Sequence, residues 1–147
     1  MIIRQGRPEE RLALIALLRR ASLMNDADRD WLLAHPEVID LPLVHLKTGR
    51  VLVAETTTRR AGLAVVLTLP NGDAELDGLF VEPDLWRTGV GRMLLAAAEA
   101  KAREAGAAEM RVVANPEALG FYTACGFQPI GEVATLFRPA LAMRKPL

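Results

Sequence analysis

Two stretches of this chain carry residue types whose order could do chemistry. The first, from Leu79 to Leu95, reads Leu-Phe-Val-Glu-Pro-Asp-Leu-Trp-Arg-Thr-Gly-Val-Gly-Arg-Met-Leu-Leu, which is an apolar strand, a proline turn, two glycines and the start of a helix. Gly89 and Gly91 lack a Cβ, so successive N–H groups there can point into one concavity. The helix behind them adds its unpaired first amides and its positive dipole end. An anion, and a phosphate in particular, fits such a cradle. A dinucleotide fingerprint would need a third glycine where Arg92, Met93 and Leu94 stand, and a nucleotide P-loop would need Gly-Lys-Ser or Gly-Lys-Thr.

The second stretch runs from Asn115 to Phe127 as Asn-Pro-Glu-Ala-Leu-Gly-Phe-Tyr-Thr-Ala-Cys-Gly-Phe. Asn115 suits a helix N-cap and Tyr122 an aromatic anchor between helix and sheet. Gly120, inside the helix, either lets a ligand approach or merely weakens the helix by about 1 kcal/mol. Upstream, Glu75 and Asp77 sit two apart on a strand, so alternation puts both carboxylates on one face with Leu79 and Val81. They can serve as bases, or they can simply solvate that face.

Together the two stretches resemble the GNAT superfamily of acyl-CoA-dependent N-acyltransferases. Its pyrophosphate loop has Arg or Gln, two residues, Gly, one residue, then Gly or Ala, before a long helix. Here the first position falls on Trp86 with the arginine moved to Arg87, and both glycines stay in register. The family's other cofactor motif, Asn, Ala, Phe-Tyr and Gly-Phe in order, matches Asn115 to Phe127. The resemblance implies that acetyl-CoA lies against Arg87, Thr88, Gly89, Val90, Gly91 and Arg92, against the main chain of Leu79, Phe80 and Val81, and against Asn115 and Phe121. It makes Tyr122 the proton donor to the departing sulfur, expected at an ordinary phenolic pKa near 10. It puts Glu75 at the position of the general base in histone-acetylating members, with Asp77 as second candidate. The implied reaction is direct acetyl transfer to an amine on a small molecule or protein. A catalytically inactive acyl-CoA sensor or interaction module of the same fold is the alternative. Trp86 also keeps open a fold relative that binds another phosphorylated ligand.

The elements that must position these residues follow from periodicity. Ile2 to Arg4 reads as a strand and Pro8 opens a helix whose Leu14, Leu17, Leu18 and Ala21 form one apolar stripe. A second helix is expected from Asn25 or Asp26 to before Pro36. Strands are expected at Val51 to Thr56, Ala61 to Leu69 and Ala74 to Val81, the last two joined by an Asn71-Gly72 turn. After the phosphate loop, Val90, Met93, Leu94, Ala97 and Ala98 form an apolar helix face, with Glu99 and Arg103 paired on the other and Gly106 at the stop. A strand at Met110 to Ala114, a helix at Pro116 to Ala124 and strands at Phe127 to Glu132 and Ala140 to Arg144 complete the chain. The fold class is α/β (α+β): a mixed, mostly antiparallel sheet of six to seven strands with helices on both faces. The resemblance adds a splay between the fourth and fifth strands.

The length of 147 residues suits one domain, residues 1–147. With 51% hydrophobic residues but no apolar run near the roughly 20 needed to span a bilayer, no membrane role is expected. The 18 basic and 18 acidic residues cancel, which gives no footprint for nucleic acid. The lone Cys125 and the absence of a signal-peptide core point to the cytoplasm, and the cysteine reads as a small packing residue. His35 and His45 fall in loop-like sequence without metal-ligand spacing. Asp26, Asp28, Asp30 and Glu37 mimic a calcium loop, but Trp31 stands where that loop demands glycine, so no metal is expected. The apolar closing segment Leu136 to Leu147 offers an edge for a homodimer.

Overall fold

In the computed structural model, which describes residues 1–147, aliphatic runs become strands and the apolar stripes become helices. The strands are β1 (Ile2–Gln5), β2 (Val51–Glu55), β3 (Arg60–Thr68), β4 (Ala74–Val81), β5 (Glu109–Ala114), β6 (Gln128–Val133) and β7 (Ala140–Pro146). The helices are α1 (Arg11–Ser22), α2 (Arg29–Ala34), α3 (Leu43–Lys47), α4 (Val90–Glu104) and α5 (Leu119–Ala124). They build the expected seven-stranded mixed sheet, in the order β1-β2-β3-β4-β5-β7-β6. The β1–β2, β2–β3, β5–β7 and β6–β7 pairs are antiparallel and β4–β5 is parallel. No helix is long and apolar enough to cross a membrane.

The chain divides into two compact units, Met1–Val65 with Gly78–Ala97, and Val66–Asp77 with Ala98–Leu147. In the first, Leu14, Leu17, Leu18 and Ala21 of α1 are buried as the stripe requires, and so are Val51, Val53 and Leu63 of the strands. Glu10 is buried as a carboxylate because three arginines converge on it. Arg4 donates to both its oxygens at 2.6 and 3.0 Å, Arg60 donates at 2.8 Å, and the Arg7 amide donates at 2.8 Å. That satisfaction pulls its carboxyl from the ordinary 4.5 down to about 2, the Arg4 hydrogen bond first among the causes. Gly62 of β3 faces the backbone of β4 so closely that a Cβ there would lie 2.7 Å from the Phe80 carbonyl oxygen and 2.9 Å from Leu94. Beside it the Glu82 amide donates to the Ala61 carbonyl at 2.9 Å.

In the second unit, Met110, Val112 and Ala114 turn one face of β5 into the core with Leu76, Ala98, Ala102, Phe127 and Met143. Gly72 takes a φ of 89° in the turn before β4, closed by Gly72 N–H to Leu69 O at 2.9 Å, as the Asn71-Gly72 pair requires.

Four expectations change. The first helix begins as a 3-10 turn at Pro8–Glu10, and α3, between Pro42 and Gly49, was unforeseen because five residues show too little of a helical period. His35 and His45 are therefore in or beside helices. His35 stacks on Trp31 with ring centroids 4.5 Å apart, and its Nδ1 lies 2.9 Å from the Trp31 carbonyl. Glu99 does not sit on an exposed face: it is buried and held by Lys145 of β7 at 2.6 Å, with Arg103 only at 3.8 Å, while Met93 is exposed. Finally, β7 has no free edge, since β5 and β6 flank it; β6 is the outer strand on that side.

Candidate functional site

The phosphate loop lies in the first unit. The strand β4 ends at Val81, a 3-10 turn follows at Pro83–Leu85, and α4 begins at Val90. Between them Arg87 has a φ of 65° and Gly89 a φ of 95°, so the left-handed conformation recurs at alternate positions. Such a chain turns N–H groups toward one side and forms an anion-binding concavity. A Cβ built on Gly89 would meet nothing within 4 Å, so the space in front of the loop is open. Two side chains brace the turn. Thr88 donates its hydroxyl to the Leu85 carbonyl at 2.5 Å, and Trp86 donates its indole N–H to the Val81 carbonyl at 2.8 Å. Trp86 thus holds the loop against the end of its own strand, in the position where the family pattern has Arg or Gln. Val90 is buried, so only its main chain can face a ligand, whereas Arg87 and Arg92 are exposed.

Leu79, Phe80 and Val81 of β4 are half-buried. Glu82, next along, was not foreseen: it is nearly buried and Arg20 of α1 grips it, Nη2 at 2.5 Å and Nε at 3.2 Å. Arg59 holds Asp84 at 2.6 Å in the same way. No sequence spacing reveals these pairs, because their members come from distant elements.

The second unit holds the candidate acid and bases. The parallel ladder pairs Ala74 with Met110, Glu75 with Arg111 and Leu76 with Val112, and ends there. Glu75 and Asp77 share one face of β4, as alternation requires. Glu75 is half-buried and Asp77 exposed. Burial raises the Glu75 carboxyl above its ordinary range, and the nearby Asp77 charge adds to the effect. A raised carboxyl is the stronger base.

Tyr122 lies on α5 and is buried. Its ring meets Phe121 edge-on at 5.2 Å and Phe127 edge-on at 5.4 Å. The expectation of an ordinary phenolic pKa is corrected: burial pushes it up, with a smaller contribution from Cys125. The phenol therefore stays protonated throughout the neutral range. Asn115 caps the turn before α5, its Oδ1 accepting from the Ala118 amide at 3.0 Å, which leaves the Nδ2 hydrogens available. A Cβ at Gly120 would meet nothing within 4 Å. Arg138, from the segment between β6 and β7, forks onto Glu117 at 2.5 and 3.1 Å and ties that segment to the capping turn. Cys125 is half-buried at the end of α5.

No group of three or more His, Cys, Asp and Glu side chains is placed to hold a metal ion. The acidic segment once resembling a calcium loop uses Asp26 to bind Arg29 at 2.5 Å, and Asn25 to accept from the Ala27 amide.

No curated protein matches the sequence significantly. Among solved structures, the PaiA N-acetyltransferase of Thermoplasma acidophilum, in complex with coenzyme A, shares the fold with a TM-score of 0.83 at 18% identity, over 99% of this chain and 98% of that one. The ribosomal-protein-S18-alanine N-acetyltransferase of Escherichia coli aligns with a TM-score of 0.74 at 18% identity, over 99% and 92%. A nourseothricin acetyltransferase aligns at 29% identity with a TM-score of 0.61, over 65% and 64%. The model of the acetyltransferase (GNAT) family matches residues 18–127, which include both motifs. The chain belongs to the acetyltransferase (GNAT) family and is an acetyl-CoA-dependent N-acetyltransferase.

Proposed function

We propose that the 147 residues act as one catalytic domain that moves the acetyl group of acetyl-CoA directly to an amine, with Tyr122 as acid and Glu75 as base. The observation that carries the reading is the alternation of left-handed residues at Arg87 and Gly89 before the 15-residue α4, which builds a cradle suited to a pyrophosphate. The Leu79 to Val81 main chain and the Asn115 amide are suited to the extended arm of the cofactor. The Val81 carbonyl receives the Trp86 indole N–H.

In the reaction the amine nitrogen bonds to the thioester carbonyl carbon, the C–S bond breaks, and sulfur leaves with its electron pair. The amine proton goes to Glu75 or a water it holds, and Asp77 is the second candidate for that role. Tyr122 donates to the departing sulfur. A phenol is in its donor form at physiological pH, burial favours that form further, and its hydrogen bond strengthens as charge grows on sulfur. Balanced charge favours a small-molecule or protein amine over nucleic acid, and we keep the cytoplasm as the site of action. A homodimer formed by extending the sheet would use an outer strand, β6 or β1, and not β7.

The test is a thermal-shift and turnover screen with acetyl-CoA against a panel of amines, beside the Gly91→Glu variant. Acetyl-CoA should raise the melting temperature, and the variant's carboxylate should abolish that shift and its calorimetric binding signal without unfolding the chain. Cofactor binding without turnover of any amine would select the sensor reading. Undiminished binding by Gly91→Glu would remove the loop from the site.

A further inference from the structure

Beside Glu75 the sheet carries a row of charge that the transfer reaction itself does not use. The register runs Glu75 to Arg111 on β5, Arg111 to Arg144 on β7, and Arg144 to Gln128 on β6. Residues in register on neighbouring strands point to the same face, and the alternate positions Met110, Val112 and Met143 are buried on the other. The face therefore presents carboxylates at β4 and guanidinium groups one and two strands away, at the usual spacing of about 4.8 Å per strand.

One acid serves both arginines. Glu109, with its side chain 17% exposed, accepts from Arg111 Nε at 3.0 Å and lies 3.6 Å from Arg144 Nη1. The pair keeps a net positive charge. The Glu109 bond also fixes the Arg111 plane by its inner nitrogen, which leaves the terminal nitrogens as an exposed fork. A fixed fork matches the two oxygens of a carboxylate. In the next row Val113, 54% exposed, lies in register with Ala142 and gives the face an apolar patch beside the fork.

We propose that Arg111 and Arg144 bind a carboxylate carried by the amine acceptor, so that the acceptors are amino acids or short peptides whose amine reaches Glu75. This assignment of substrate class rests on the reading of Glu75 as base. A polycationic amine would bring its second charge against two arginines, whereas a zwitterion matches the sequence of charges from β4 to β7.

The experiment compares amino acids with their own amides as acceptors, with 1,5-diaminopentane beside them, and measures kcat/KM with acetyl-CoA. The acids should exceed their amides by about 10- to 100-fold, the discrimination expected of a charge-assisted fork. Arg111→Gln and Arg144→Gln should each draw that ratio toward one, and Arg111→Lys should keep part of it. Amides or the diamine matching the acids in the native protein would overturn the proposal, and so would a ratio that survives both glutamine substitutions. A second arm measures calorimetric binding of N-acetyl amino acids and of their amides. If no amine is acetylated, the transfer reading fails, and this arm still decides the carboxylate site. Tighter binding of the acids that is lost in Arg111→Gln supports it, and equal binding refutes it.

Discussion

The Trp86 indole donates to the Val81 carbonyl at 2.8 Å, so the phosphate loop is stapled to the strand that feeds it by a side chain rather than by backbone pairing. Trp86→Phe keeps an aromatic six-membered ring but removes the pyrrole part of the indole, and with it the N–H that makes the bond. One hydrogen bond of about 0.5–1.5 kcal/mol corresponds to a rise of about 2- to 10-fold in KM for acetyl-CoA with kcat little changed. Steady-state kinetics with unaltered KM would show that the loop holds its shape without the staple.

Tyr122→Phe removes only the hydroxyl from a ring that is already packed against Phe121 and Phe127. If the phenol supports the departing sulfur, single-turnover transfer should slow by about 10-fold to 1,000-fold, with cofactor affinity retained. Native rates in the variant would reduce Tyr122 to a packing residue.

Glu75→Gln should lower turnover, with partial recovery as pH rises and more amine arrives neutral, whereas Asp77→Asn should do much less. The same variant makes a stability prediction of defined sign. The folded carboxyl is raised, so its ionised form costs stability above that pKa and nothing below the unfolded value. Glu75→Gln should thus melt at or above the native protein at neutral pH, and the gap should close in acid. The reverse order of activity loss between the two variants would make Asp77 the base.

Glu10→Gln should be among the most damaging single changes in the first unit. Its folded carboxyl lies near 2 instead of 4.5, so it contributes stability above about 4.5 that is lost as pH falls through about 2. At neutral pH the loss should be about 3 kcal/mol, as when a buried ion pair is broken by removing one partner, and the deficit should shrink in acid. Denaturant midpoints that differ equally at neutral and acidic pH would disprove the assignment.

The sequence made legible what local periodicity encodes. The stripe of α1, the Asn71-Gly72 turn and the two glycines flanking the first residue of α4 each depend on residues within a few positions of one another, and each appears where expected. Glu99 has the Arg103 partner its helix spacing suggested, but its burial and its closer partner Lys145, which arrives from the last strand, were not legible in the helix. The place of β7 between β5 and β6 is likewise a long-range choice, invisible to alternation within either strand. At the candidate site, residue types and spacing pointed to an anion-binding loop, while Glu75 and Tyr122 were proposed as base and acid on the family resemblance. The environment of Tyr122 could not be read from them, because burial is set by Phe127 and the sheet beneath. Arg111 and Arg144 escaped notice for a similar reason: apart in sequence, they become neighbours only through strand register.

Gly62 has a consequence for interpreting variants of this enzyme. Its Cα hydrogen occupies the gap where any side chain would strike the Phe80 carbonyl, and Phe80 belongs to the stretch proposed for the cofactor arm. Even alanine there can be accommodated only by shifting the end of β4. Such a variant should imitate a lesion in the cofactor site, with weakened acetyl-CoA binding, although residue 62 offers no atom to the ligand. In a mutational screen that reads only activity, position 62 would be scored as an active-site residue, and backbone proximity alone would be the reason.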